Sequence, residues 1–144
     1  MAIAKGDVAN NTHKIFFMLD RILIVDNEIL INKFLEARFK KENLEVDVAY
    51  DGMQALNKIK KHKYDLILTD LILPYVAGVE LIMQIKNSDK NADTPVMVLS
   101  SLTADEVIVD VLSIGAQDYI TKPFSISVVM AKIKQILQVN ETAA

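Results

Sequence analysis

The feature that most constrains this chain is a regular alternation between short apolar runs and longer segments whose apolar residues recur every three or four positions. Arg21-Ile22-Leu23-Ile24-Val25 is β-branched and apolar, only a few residues long, and stops at Asp26. Such runs fit strands buried on both faces, as in a parallel sheet. From Glu28 to Glu42 the spacing changes, with Ile31, Phe34, Leu35 and Arg38-Phe39 recurring at the period of a helix. A second strand is expected from Leu44 to Ala49. Asp51-Gly52 then opens a helix with Ala55, Leu56 and Ile59 on one face and Lys58, Lys60 and Lys61 elsewhere. Tyr64 to Thr69 forms the third run and ends at Asp70. Pro74 to Gly78 forms a loop before a helix marked by Leu81, Ile82 and Ile85. Pro95 to Leu99 ends at Ser100, and a helix from Thr103 to Ile114 is punctuated by Gly115. Asp118 to Thr121 precedes Lys122-Pro123, and the last helix carries Val129, Ile133, Ile136 and Leu137.

The alternation predicts an α/β fold of (βα)5 type, a doubly wound five-stranded parallel sheet with helices on both faces, because right-handed crossovers place them there. Open sheets of this kind bind ligands beyond the carboxyl ends of their strands. The residues closing runs one, three, four and five are Asp26, Asp70, Ser100 and Lys122. Singly, an aspartate there commonly caps a helix, a serine turns the chain and a lysine is solvated. Four at successive strand ends converge on one rim. His13 and His62 belong to no ligand-spaced cluster and are read as surface residues.

Two carboxylates brought that close repel unless a cation intervenes. Lys122 supplies one positive charge, and an oxygen-rich pocket suits Mg²⁺, which takes one or two carboxylates with waters and phosphate oxygens. A carboxylate can itself act as a nucleophile and form an aspartyl phosphate. Positioning and electrostatic stabilisation supply most of the catalysis in phosphoryl transfer. The set suffices to accept phosphate, and it contains no evident general base for another reaction.

With 144 residues the chain fits one domain, placed at 18–140, with a tail over 141–144. Residues 1–17 are read as a non-native or disordered extension ahead of a start at Met18. The net charge of −3 implies no basic surface for nucleic acid. The absence of cysteine excludes disulfides and thiolate metal sites, and fits a cytoplasmic protein. No apolar run approaches the roughly 18 residues a membrane span needs.

The motifs resemble those of response-regulator receiver domains, the CheY-like modules of two-component signalling with a flavodoxin-like fold. Ile22-Leu23-Ile24-Val25-Asp26-Asn27-Glu28 resembles their opening motif, and Asp65 to Pro74 their phosphoacceptor segment. Pro95 to Ser101 resembles the fourth-strand motif, and Gly115-Ala116-Gln117-Asp118-Tyr119-Ile120-Thr121-Lys122-Pro123-Phe124 the closing motif. The match runs from about Leu19 to Val139. It implies that Asp70 takes a phosphoryl group from a phosphohistidine on a sensor histidine kinase or phosphotransfer protein. Mg²⁺ or Mn²⁺ would be held by Asp26, Asp70 and the backbone carbonyl of Ile72, with Asn27 a further candidate. Ser100 and Lys122 would bind phosphoryl oxygens. Tyr119 stands at the position of a switch aromatic that turns inward when Ser100 moves; the plainer reading is a half-buried core tyrosine. The output would be a downstream protein or an attached domain, docked on the face made by helix four, strand five and helix five. The module would catalyse only its own phosphoryl transfer and slow dephosphorylation. The Lys122–Pro123 bond is a candidate for the cis form.

Three departures stand out. Asn27 replaces the second acid of the opening motif, which predicts weaker Mg²⁺ binding unless Glu28 compensates, and the sequence leaves both open. Ile72 and Leu102 lie two residues beyond Asp70 and Ser100, where the family influences the attacking water; neither can orient one, so a long-lived phosphoryl form is expected. In helix four, Val107, Ile108, Val109, Val111, Leu112 and Ile114 leave a narrow polar stripe at Glu106, Asp110 and Ser113. The excess means either an exposed partner patch or a deeply buried helix. Ser127 and Val128 lack the charge of receivers that dimerise by salt bridges, yet a homodimer stays open. One rival is a pseudo-receiver that docks proteins without taking phosphate, for which Asn27 is the support. Another is a flavodoxin-like cofactor binder, which would need a phosphate-cradling loop where Asp26-Asn27-Glu28 stands. The chain ends shortly after the last helix, and both a stand-alone receiver and a fragment of a longer regulator fit it.

Overall fold

A computed structural model describes residues 19–143, with side chains described through residue 138; the expected extension over 1–17 lies outside them. Strand β1 (Arg21–Val25) explains the layering. Its residues alternate sides: Ile22 and Ile24 enter one apolar cluster, Leu23 and Val25 the other. Period-two alternation in a strand apolar on both faces requires a cover on each side. Helices α1 (Ile29–Lys41) and α5 (Ile126–Ala143) cover the first face through Leu35, Phe39, Val129, Met130 and Ile133. Helices α2 (Gly52–Lys61), α3 (Gly78–Lys86) and α4 (Asp105–Ser113) cover the second through Ala55, Ile59, Leu81, Ile82, Ile85 and Val111.

The remaining strands are β2 (Glu45–Ala49), β3 (Leu66–Thr69), β4 (Val96–Ser100) and β5 (Asp118–Thr121). The five form one parallel sheet in the order β2-β1-β3-β4-β5. This is the expected (βα)5 architecture. The central strands β3 and β4 are buried throughout, whereas the edge strands β2 and β5 are largely half-exposed, as sheet edges must be.

One local expectation changes, and one alternative left open is decided. In α1 the buried stripe is Asn32, Leu35 and Phe39 rather than one containing Phe34, which is half-exposed and packs its ring 6.3 Å from that of Phe124. Residues 32, 35 and 39 are spaced three and four apart, so a polar residue sat on the apolar stripe. In α4 only Val111 is fully buried, while Val109 and Leu112 are exposed. The apolar excess of that helix therefore lies on the surface.

Buried and half-buried polar residues tie the amino-terminal end of the sheet. The Asp47 carboxylate accepts from the Arg21 guanidinium at 2.8 Å and from the Tyr64 hydroxyl at 2.7 Å. Asn91, wholly buried, accepts from the Tyr64 amide and donates to the carbonyls of Ile59 and His62. These bonds join α2, β3 and the loop before β4.

Candidate functional site

The strand order reverses direction between β1 and β3, since β2 lies on one side of β1 and β3 on the other. Val25 pairs with Thr69 across this point. The next residue on each strand is an aspartate, so Asp26 and Asp70 leave the sheet side by side. The amide of Asp26 bonds Ala49 and that of Asp70 bonds Val25, which fixes both at the ends of their strands. On the other half of the sheet Ser100 pairs with Thr121, and the Lys122 amide donates to the Ser100 carbonyl at 2.8 Å.

From there the Lys122 side chain reaches back across the sheet. Its ammonium donates to Asp26 Oδ2 at 2.8 Å and to Asp70 Oδ2 at 3.0 Å. It also donates to Glu28 Oε2 at 2.5 Å. The two aspartates are held alike. Asp26 Oδ1 accepts from the Glu28 amide at 2.9 Å; Asp70 Oδ1 accepts from the amides of Leu71 at 2.6 Å and Ile72 at 3.2 Å. One oxygen of each is thus pinned by backbone while the other faces the ammonium.

The electrostatics follow from this packing. Burial pushes the Asp26 carboxyl above the ordinary range, a push that the Lys122 hydrogen bond and the Glu28 amide only partly offset and that the Asp70 charge reinforces. Burial alone would lower the Lys122 ammonium, but its bonds to Asp26, Glu28 and Asp70 outweigh this and hold it far above its usual value. The ammonium is therefore a fixed positive charge at any physiological pH.

Asp26, Asn27, Glu28, Ile31, Asp70, Ile72, Ser101, Lys122, Pro123 and Phe124 line an open cleft of about 660 Å³. Ligand oxygens of Asp26, Glu28 and Asp70 all lie within 4.8 Å of one another, close enough to share one cation. Carboxylate oxygens are the donors that Mg²⁺ prefers, so the donor set fits the metal. Asn27 is exposed at the cleft, and Ile72 sits at its edge, half-exposed.

Three of the four expected residues meet, and Ser100 stands apart from the ion cluster. It is fully buried at the end of β4, where its hydroxyl accepts from the Leu102 amide at 3.3 Å. Tyr119 is half-buried, with its hydroxyl donating to the Leu102 carbonyl at 2.7 Å, so that it and Ser100 both bond the backbone of Leu102. Burial raises the Tyr119 phenol, so it stays a neutral donor. Its ring packs against the core on the α2–α4 face. The Lys122–Pro123 peptide is cis.

Two contacts go beyond the expected site. Glu28 is the third acceptor of Lys122. Asn32, buried within α1, donates its side-chain amide to the backbone carbonyl of Asp26. The signal for Asn32 was its place on the apolar stripe.

A model of the response regulator receiver domain matches residues 22–134. The chain belongs to the receiver-domain family. A relative, response regulator ArlR of Staphylococcus saprophyticus, is 38% identical over 120 residues, covering 83% of this chain and 53% of the relative. ArlR of Staphylococcus aureus shows the same identity and coverage. The chain thus spans about half the length of these curated relatives. Among solved receivers, a CheY-like receiver domain protein from Methanospirillum hungatei JF-1 superposes with a TM-score of 0.82 at 29% identity, covering 88% of this chain and 99% of that one. The Francisella response regulator 1452 receiver domain gives 0.78 at 31%, covering 84% and 98%. Among the described residues, no helix of this receiver is long and apolar enough to cross a membrane.

Proposed function

We propose that this receiver accepts a phosphoryl group on Asp70 from a phosphohistidine of a histidine kinase or phosphotransfer protein, in a reaction dependent on Mg²⁺ or Mn²⁺. The observation carrying this reading is the convergence of Asp26 and Asp70 on one buried ammonium at 2.8 and 3.0 Å. A carboxylate oxygen of Asp70 attacks phosphorus, the phosphorus–nitrogen bond breaks, and its electron pair stays on the donor imidazole. The backbone amides of Leu71 and Ile72 orient the Asp70 carboxylate for that attack. Lys122 holds its positive charge where negative charge gathers on the phosphoryl oxygens. Asp26, Asp70 and the Ile72 carbonyl would hold the cation, which supplies charge neutralisation on the transferring group.

The signal leaves the site through Ser100 and Tyr119, which bond the amide and the carbonyl of Leu102 just beyond β4. Movement of Ser100 toward a phosphoryl oxygen breaks its bond to the Leu102 amide and alters the seat of Tyr119. That change reaches the face of α4, β5 and α5, where a downstream protein or attached output domain docks. Beryllofluoride with Mg²⁺ tests the reading by ¹⁵N NMR: large shifts at residues 70–72, 100–102 and 119–122 are expected in the parent and none in Asp70→Asn. Equal shifts in both would overturn it.

A further inference from the structure

Lys122 has three N–H bonds to give, and in this structure all three are given to carboxylates. A lysine so committed has no donor left for a phosphoryl oxygen, so one acceptor must leave before it can serve. The structure distinguishes the three. Asp26 and Asp70 are almost fully buried, and each has its second oxygen pinned by backbone amides. The side chain of Glu28 is 60% exposed, and among the described residues its carboxylate bonds Lys122 alone. An exposed ion pair on a flexible side chain is cheap to exchange. Glu28 is the acceptor that can move.

Charge makes the same distinction. Position 27 offers only a neutral amide, so Asp26, Glu28 and Asp70 are the carboxylates of the pocket. Set against the one ammonium, they leave two negative charges, those a divalent cation neutralises. Without Glu28 the pocket would hold one.

We propose that Glu28 is a carboxylate with two alternative partners. It holds Lys122 in the cation-free protein and turns to the cation when one is bound, supplying the charge that Asn27 lacks. In turning, it frees one N–H of Lys122 for an incoming phosphoryl oxygen. Cation occupancy and lysine availability are then coupled through one exposed side chain. Glu28 acts here as a positioning residue for Lys122, and the inference rests on the cation-dependent receiver reading above.

Two readouts independent of phosphorylation test it on the full chain. Electron paramagnetic resonance titration with Mn²⁺ should show Glu28→Gln binding about tenfold more weakly than the parent, the scale expected for one partly screened charge. Adding Asn27→Asp to that variant should restore the affinity. Lysine side-chain ¹⁵N NMR during Mg²⁺ titration should show the Lys122 Nζ resonance shifting in the parent and staying nearly still in Glu28→Gln. Unchanged or tighter Mn²⁺ binding by Glu28→Gln would overturn the proposal, since a mere competitor for Lys122 gives that result. A Lys122 resonance moving equally in both proteins would overturn it too. If the parent itself bound no Mn²⁺, the underlying cation-dependent reading would fail with it, which separates the two failures.

Discussion

Asp47 and Asp70 mark opposite ends of the sheet and do different work. Burial would raise the Asp47 carboxyl, but the Tyr64 hydroxyl and the Arg21 charge outweigh it and hold it below its ordinary value. A carboxyl depressed by folding contributes stability above its unfolded pKa of about 3.9 and loses it as pH falls through the lower folded value. Asp47→Ala should therefore cost about 1–3 kcal/mol at neutral pH, because it strands the buried Tyr64 hydroxyl and removes one partner of the partly exposed Arg21 guanidinium. Urea titrations should show the gap to the parent narrowing at pH 3; a gap independent of pH would contradict the assignment. At the other end, Ile72 and the Leu102 side chain offer no hydrogen bond to an attacking water. The phosphoryl form should persist for minutes or longer, and Ile72→Gln should shorten its life; loss of label from the parent within seconds would count against this. Asp26, Asp70 and Lys122 were legible because each closes an apolar run, and strand ends in a parallel sheet share a rim. The partnership of Glu28 with Lys122 was not, since nothing in a sequence fixes the direction of a glutamate on a loop.

At the scale of elements, the start of α3 is set by how closely it approaches β3. A methyl group added at Gly78 would lie 2.4 Å from the Leu71 α-carbon and 2.6 Å from the Asp70 carbonyl oxygen, both rigid backbone. Gly78→Ala should destabilise by about 1–3 kcal/mol and also slow modification of Asp70, because relief requires shifting the loop that holds it. Chemical denaturation and acetyl phosphate labelling measure the two effects separately. Asn91→Ala should cost about 2–4 kcal/mol, since it removes a partner from one buried amide and two carbonyls. Strands and helices were readable because burial on both faces imposes one pattern and burial on one stripe another. In α1, Leu35 and Phe39 lie on the expected stripe, and Phe34 departs from it for a physical reason. Phe34 finds apolar cover on Phe124 at the surface, whereas Asn32 enters the core because its amide has the Asp26 carbonyl to satisfy.

Across the whole molecule the sheet carries an apolar core on each face, and the helices that cover it turn their outer sides to solvent. Val109 and Leu112 on α4 and Val128 on α5 are exposed, although sequence alone left α4 divided between burial and exposure. Val109→Lys and Leu112→Glu should each change stability by no more than about 0.5 kcal/mol. Ile82→Ala, a deletion at a fully buried site on α3, should cost about 2–5 kcal/mol. Thermal or urea unfolding that ranked these in the opposite order would overturn the assignment of faces. The convergence of Asp26, Asp70 and Lys122 matters only if Asp70 takes the phosphoryl group. Labelling with acetyl phosphate and Mg²⁺, followed by borohydride reduction and peptide mass mapping, reads this directly, because reduction converts an aspartyl phosphate to homoserine. The expected result is homoserine at position 70 and nowhere else; homoserine at another aspartate, or none, would contradict the account.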